Sequence, residues 1–184
     1  MMIAHTHRLV GEFLYQQLPM QLREKLNHNV FVNGNVKPDV VKMYRQMSHY
    51  YRDNEGFVFE LFERLMTESM SKEEFSDLLG VLTHFLCDYA CIYHANEYVR
   101  KHHSIRLHMQ YEFKFHLYAH RRLRLLQEVD VIPFQSIGEV RAYVKAMIKR
   151  VNVQNPKLSV ESDFNEMVLL TVGVLFFILK HKKI

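Results

Sequence analysis

Apolar positions along most of the chain repeat at the spacing of an α-helix. Four apolar residues between Leu9 and Leu18 share one face, and Pro19 follows them, so the pattern predicts a helix over residues 5–17. A short second helix is expected over residues 21–26. The first segment is therefore helical, and it ends at a proline.

Turn-forming and capping residues divide the rest of the chain. The stretch 31–39 combines Asn-Gly with Lys-Pro and predicts a loop. Asn54 is expected to cap an aromatic-rich helix, and capping boxes begin at Ser71 and Ser136. Asn-Pro at 155–156 marks a further break. We expect about seven helices and no internal repeat.

The run Met167–Leu179 contains the longest stretch of apolar residues. It is shorter than the ~20 residues that a membrane span needs, and lysines follow it. The run predicts a buried core helix. A membrane-associated tail is the alternative.

The composition favours one helical domain. Glycine and proline together number ten in 184 residues, which disfavours turn-rich β folds. With 48% hydrophobic and 24% charged residues the chain can close a core, so we expect an all-α domain over residues 1–184. Cys87 and Cys91 predict small buried residues and no disulfide framework. The first residues lack the pattern of a signal peptide, which makes a cytoplasmic location the default expectation.

The net charge of +4 is mild, and its densest patch lies at residues 120–124. Such a patch is more often a solvated helix face than a nucleic-acid footprint. We therefore expect no stable complex with nucleic acid.

Several of the twelve histidines lie at metal-ligand spacing. His84 and Asp88 are four residues apart, as are His108 and Glu112, so each pair lies about one turn apart on a helix face. An imidazole nitrogen and a carboxylate oxygen placed in this way can converge on one zinc ion at ~2.0–2.2 Å. A surface ion pair is the alternative for one such pair, but two pairs with His94 between them favour a metal site.

His94 points to a second metal. It lies ~80° from His84 around a straight helix axis and so cannot complete the site of His84 and Asp88. On one continuous helix His94 and His108 would be ~21 Å apart, so they can share an ion only if the chain doubles back. We expect a helical hairpin near Lys101, midway between them.

The order of these residues resembles a known family. The string HFLCDYACIYH over 84–94, followed by H-x3-E over 108–112, resembles the ligand pattern of the zinc-dependent bacterial phospholipases C. Single-strand-specific zinc nucleases of the same superfamily have a similar H-x3-D-x5-H pattern. This chain has Cys-Ile-Tyr over 91–93, where those nucleases typically have Gln-Pro-Leu.

Upstream residues extend the resemblance to roughly residues 5–115. Thr6-His7 is similar to the family's N-terminal histidine ligand. Pro38-Asp39 and the later His49 are similar to its aspartate and histidine pair. The resemblance implies an all-α multi-helix bundle around a polynuclear zinc site.

The resemblance also implies how the ligands divide among the ions. Asp39, His49, His84 and Asp88 would hold one zinc, His94, His108 and Glu112 would hold a second, and His7 with Asp88 would hold a third. Asp88 would then bridge two ions. Residues 39 and 49 would be ~15 Å apart on one helix, so Asp39 is expected in the loop after Pro38, with the chain folding back before His49.

This chain matches the family's ligands for the third zinc only in part. Secreted members of the family hold it with the amine and carbonyl of an N-terminal tryptophan, and this chain contains no tryptophan. His5, or the backbone and amine of Met1 or Met2, would have to substitute. We therefore expect two or three zinc ions.

The leading interpretation is a zinc-dependent phosphodiester hydrolase resembling phospholipase C. Zinc lowers the pKa of a bound water toward ~7 and clamps phosphoryl oxygens, and Asp39 is the candidate general base. The expected partner is a phosphodiester substrate such as a phospholipid, with peripheral contact to a membrane. The alternatives are a zinc nuclease or nucleotidase, and a zinc-stabilised helical protein without catalysis.

Overall fold

The computed structural model describes residues 4–127 and 129–182. These residues form eleven helices and no strand, which confirms the all-α prediction. In chain order the helices are α1 (Ala4–Gln17), α2 (Met20–Arg23), α3 (His28–Val40), α4 (Lys42–Arg45), α5 (Tyr51–Thr67), α6 (Lys72–Ala90), α7 (Ile92–Ala95), α8 (Glu97–His102), α9 (Ile105–Leu123), α10 (Ile137–Val151) and α11 (Val160–His181).

The helices fall into two length classes. Seven of those described have 13 to 22 residues. The sequence predicted about seven helices in total, including a short one at 21–26, so the eleven described helices exceed that number. The other four, α2, α4, α7 and α8, have four to six residues each. These short helices lie where the chain changes direction, and three of them adjoin the candidate site.

The loop expected over residues 31–39 is wrong, because this stretch lies within α3. The side chain of Asn27 caps α3 by accepting the backbone N–H of Val30. The glycine that suggested a turn, Gly34, instead lets α3 pack closely on α6. A Cβ atom on Gly80 would lie 2.7 Å from the Cα of Gly34. Pro38 lies in the last turn of α3, so Asp39 is on the helix and not in a loop.

The capping predictions have mixed outcomes. Ser71 and Ser136 cap α6 and α10, and each accepts a backbone N–H three residues later. Asn54 does not cap α5, which begins at Tyr51. Its side chain is buried and accepts a hydrogen bond from the hydroxyl of Tyr89, at 2.6 Å. The break at 155–156 is present, and Asn155 has a φ of 48°.

The central helix is α6, which packs against α3, α5 and α11. α11 is long and apolar enough to cross a membrane by length and composition, but 72% of its most apolar stretch is buried inside the fold. This burial agrees with the predicted core helix. Cys87 and Cys91 are buried free thiols, also as expected. α6 thus carries its polar residues, His84 and Asp88, into the centre of the molecule.

Candidate metal centre

All eight ligand-type residues predicted from the sequence lie in one buried region. They come from five helices and one connecting segment, and each has 8% or less of its surface exposed. The contributions are His7 from α1, Asp39 from α3, His49 from the segment before α5, His84 and Asp88 from α6, His94 from α7, and His108 and Glu112 from α9.

The geometry of His84 is that of a metal ligand. Its Nδ1 atom lies 2.8 Å from the backbone carbonyl oxygen of Asn35, which can only accept, so Nδ1 carries the proton. The lone pair on Nε2 therefore faces Asp88, whose Oδ2 is 3.3 Å away. Metal-binding histidines typically donate their other N–H to a carbonyl or carboxylate in this way.

Asp88 presents its two oxygens to different histidines. Oδ1 lies 3.3 Å from Nε2 of His7, and Oδ2 lies 2.6 Å from Nδ1 of His49. The ring of His7 stacks on that of His84, with centroids 3.7 Å apart. A carboxylate that bridges two ions needs its oxygens placed on two sides, and Asp88 has that arrangement.

Asp39 and His49 approach His84 from another side. Asp39 Oδ1 lies 3.9 Å and His49 Nδ1 lies 3.2 Å from Nε2 of His84. Asp39 lies in the last turn of α3, and the chain reverses through α4 before it reaches His49. The expected fold-back between these residues is therefore present, although Asp39 lies on a helix.

His94, His108 and Glu112 form a neighbouring set. Glu112 Oε1 lies 2.9 Å from Nε2 of His108 and 3.4 Å from Nε2 of His94. The reversal that this set needs occurs between His102, where α8 ends, and Ile105, where α9 begins. That position agrees with the hairpin expected near Lys101.

One premise of the sequence argument needs correction. His94 does not lie on the same straight helix as His84, because α6 ends at Ala90 and, after the extended residue Cys91, the separate α7 begins at Ile92. The conclusion still holds, since His94 groups with His108 and Glu112. The ring centroids of His49 and His94 are 6.4 Å apart, so the two groups of ligands are neighbours.

Burial and mutual contact shift the pKa values of these residues. Burial raises the pKa of Asp39 to about 6, although the nearby His84 opposes the shift. Burial also acts to raise the pKa of Asp88, but His94, His84 and the hydrogen bond from His49 hold it well below its usual range. Burial lowers the pKa of His94 to about 4, which leaves its imidazole neutral at pH 7. A neutral imidazole and an ionised carboxylate are the forms that bind zinc.

Several polar atoms of the cluster lack hydrogen-bond partners and are positioned to bind metal ions. Among the described residues, no hydrogen-bond partner exists for either ring nitrogen of His7, either oxygen of Asp39, or Nδ1 of His94. Buried polar atoms without partners are costly, and lone pairs that face each other repel unless a cation lies between them. The donors form three sets whose atoms lie within 4.8 Å of one another: His7, His84 and Asp88; Asp39, His49 and His84; and His94, His108 and Glu112. Imidazole and carboxylate donors in groups of three suit zinc.

The proposed substitutes for the N-terminal ligands have separate outcomes. His5 is exposed and belongs to none of the three sets. Met1 and Met2 lie outside the described residues. The set of His7, His84 and Asp88 gives a third ion a location, and the number of ions stays a prediction.

Sequence reasoning missed two residues that support the ligands. Asn35 accepts the N–H of His84 through its carbonyl, and its side chain is held by Thr83. Asp163 on α11 accepts the backbone N–H of Ile92 and the hydroxyl of Tyr111, at 2.8 and 2.7 Å. Neither position has a distinctive local pattern, since Gly34 precedes Asn35 and Ser162 precedes Asp163. Asn35 was missed because its segment was predicted to be a loop. Asp163 was missed because the prediction for this part of the chain rested on the apolar run that begins four residues later, at Met167.

Aromatic rings pack around the cluster. Tyr93 stacks on His108 with centroids 4.6 Å apart, and the ring of Tyr50 lies 5.5 Å from that of His94. The guanidinium group of Arg100 lies over the ring of Tyr50, 4.0 Å from its centroid. The rings fix the imidazole planes and exclude water from their sides.

Comparison with known families agrees with the geometry. A family model described as zinc dependent phospholipase C matches residues 6–167, which include all eight ligand-type residues. Comparison with curated proteins and with solved structures gives no match. The match covers most of the chain, and the buried histidine and carboxylate sets lie within it. The chain therefore belongs to the zinc-dependent phospholipase C family.

Proposed function

We propose that the protein is a zinc-dependent phosphodiesterase that hydrolyses a phosphodiester of the phospholipid type. One observation carries the proposal: three neighbouring sets of imidazole and carboxylate donors meet, and two of the sets share His84. Adjacent metal ions that share ligands are typical of enzymes that cleave phosphate esters.

A purely structural zinc site has a different form. Structural sites are usually single, closed by four ligands, and rich in cysteine thiolates. Here the two cysteines are buried free thiols and belong to none of the donor sets. The donor chemistry thus favours catalysis over simple stabilisation.

The chain's own residues have distinct roles in this proposal. His84 and Asp88 would hold ions at the centre, His7 and His49 flank Asp88, and the set with Glu112 would hold a neighbouring ion. Bound zinc would supply Lewis acidity toward the phosphoryl oxygens and would make water more acidic.

Asp39 is the residue proposed as proton acceptor. Its carboxyl lies at the edge of the cluster, with both oxygens free of hydrogen bonds among the described residues. Burial raises its pKa to about 6, near the range in which a group takes up and releases protons at neutral pH. Asp39 is therefore placed to orient a water molecule and receive its proton.

The surface near His94 suits an anionic substrate. A small depression beside His94 is lined by Tyr50, Arg52 and Arg100. Guanidinium groups attract a phosphodiester anion toward the cluster. Two carboxylates moderate this charge: Asp53 pairs with Arg100 at 2.8 Å, and Glu97, which also lines the depression, pairs with Arg52 at 2.5 Å.

Hydrolysis of bis(4-nitrophenyl) phosphate tests the proposal. The zinc-loaded chain should hydrolyse it, chelation should abolish the activity, and added zinc should restore it. Asp39→Asn should lower kcat by ~100-fold when it is compared with the unaltered chain at equal zinc content, because the amide keeps an oxygen that can face the metal but cannot accept the proton. The matched control Asp130→Asn changes an exposed carboxylate and should have no effect.

Natural substrates then separate the family's activities. Comparison of phosphatidylcholine vesicles with single-stranded DNA distinguishes a lipase from a nuclease. If the fully zinc-loaded chain cleaves no phosphodiester of any class, the catalytic proposal fails and the sets serve only to stabilise the fold.

A further inference from the structure

The solvent side of α9 combines large apolar side chains with basic ones. Four exposed apolar residues there follow at four-residue intervals, and we refer to them as the α9 stripe: Ile105, Met109, Phe113 and Leu117. They are between 43% and 74% exposed and lie along one line of the helix. Exposed apolar residues scattered singly need no explanation, but a continuous line does.

The charge along this helix has one sign. Every exposed Lys, Arg, Asp or Glu of α9 is basic: Arg106, Lys114, Arg121 and Arg122. The one carboxylate of α9 is Glu112, which is buried in the metal centre. An amphipathic helix with apolar residues beside basic ones is the form that lies in a lipid interface.

The α9 stripe and part of the metal centre belong to the same helix. Met109 directly follows His108, a buried member of one donor set, so the stripe covers the solvent face of the helix whose inner face carries His108 and Glu112. Further exposed apolar residues, Val40, Val41 and Met43, follow Asp39, a member of another donor set. Since consecutive Cα atoms are about 3.8 Å apart, the Cα atoms of Met109 and Val40 each lie about 3.8 Å from that of a ligand, His108 or Asp39.

We propose that the α9 stripe docks on a phospholipid bilayer that contains anionic lipid. This inference rests on the proposed function, since docking would hold a metal centre carried by the same helix close to the lipid surface. Anionic headgroups attract clustered Lys and Arg side chains, which lie beside the stripe on the same helix.

The surface is less suited to other occupants. The depression of about 630 Å³ that Arg106, Met109 and Phe113 line is shallow and open, so it does not enclose a partner helix. A second copy that bound through the same face would place basic residues against basic residues, and like charges across an interface repel. A bilayer avoids both difficulties.

Tryptophan reporters test the docking directly, because the chain contains no tryptophan of its own. Phe113→Trp should show a blue-shifted emission when zinc-loaded protein is mixed with phosphatidylcholine vesicles that contain phosphatidylserine. The control reporter Met20→Trp lies beyond the end of α1 that is opposite His7, at a position 72% exposed, and should show no shift.

Two variants without tryptophan measure how much an apolar and a basic side chain of α9 each contribute to vesicle binding. Phe113→Asn should lower the vesicle partition coefficient about tenfold, because a large apolar side chain no longer enters the interface. Lys114→Gln should lower it about fivefold on vesicles with phosphatidylserine and leave it unchanged on phosphatidylcholine alone. Met20→Asn is the matched control and should bind as the unaltered chain does.

Three results would overturn the proposal. The first is an absence of vesicle binding, and the second is an equal emission shift for the Phe113→Trp and Met20→Trp reporters. The third is a blue shift of the Phe113→Trp reporter caused by self-association without lipid, which would assign the surface to a second copy of the chain. Hydrolysis of bis(4-nitrophenyl) phosphate by the unaltered chain needs no bilayer and decides the proposed function separately. Vesicle binding without hydrolysis would reject the enzyme and keep the docking surface.

Discussion

Replacement of Gly80 by alanine should destabilise the protein and loosen its zinc. At this position α6 crosses α3, and a Cβ atom would collide with the carbonyl oxygen of Phe31 and lie 2.8 Å from the backbone nitrogen of Asn35. Ordinary contacts begin at 3.4 Å, and both opposing atoms belong to backbone, so the two helices must move apart. Overpacking of this kind costs ~1–3 kcal/mol, more than the ~1 kcal/mol that alanine gains over glycine in a helix.

The same movement should reach the metal centre. It would pull the carbonyl of Asn35 away from Nδ1 of His84, a hydrogen bond of 2.8 Å that fixes the ligand tautomer. Loss of such a supporting contact weakens metal binding by ~10–100-fold, so Gly80→Ala should release zinc to a chelator at least about tenfold more readily.

Urea unfolding and a chelator competition measure both effects. Gly56→Ala is the matched control, because a Cβ atom on Gly56 in α5 would meet nothing within 4 Å, and this variant should gain up to ~1 kcal/mol. If Gly80→Ala were as stable as Gly56→Ala and kept its zinc, the reasoning about the α3 and α6 crossing would be refuted.

Three further outcomes are expected. Asp88→Ala should lose more than one zinc ion per chain, because the two carboxylate oxygens of Asp88 face different histidines. Elemental analysis would contradict a bridging role if the variant lost only one zinc ion and kept two or more. Chelation of zinc should lower the Tm measured by calorimetry, because ions that bind only the folded chain stabilise it; an unchanged Tm would argue against bound metal. Burial raises the pKa of Asp163 to about 7, so the folded chain keeps this proton longer than the unfolded chain and this carboxyl lowers stability as the pH rises from about 4 to about 7. In Asp163→Asn, the free energy of unfolding measured with urea should lack this part of the pH dependence. If it changed with pH equally in the variant and the unaltered chain, Asp163 would not be the cause.

Local spacing explains which ligands could be derived from the sequence. His84 with Asp88, and His108 with Glu112, are pairs within single helices, so helical periodicity alone places each pair on one face. His7, Asp39 and His49 come from separate elements, and no spacing rule brings distant elements together. Only the family resemblance indicated them.

The error at α3 has a tertiary cause. Asn-Gly and Lys-Pro are turn signals, yet the glycine serves the close crossing with Gly80, and Pro38 lies where α3 is about to end. Packing against α6 outweighs the local preference, which no periodicity of the segment itself reveals. The break after Ala90 was missed for the opposite reason, since α6 to α8 contain neither glycine nor proline between Val81 and His102.

The zinc content of the purified chain tests the central claim most directly. The protein is loaded with zinc, desalted, and analysed by inductively coupled plasma mass spectrometry alongside its protein concentration. The three donor sets predict two or three tightly bound zinc ions per chain. A content below one zinc per folded chain would contradict the account.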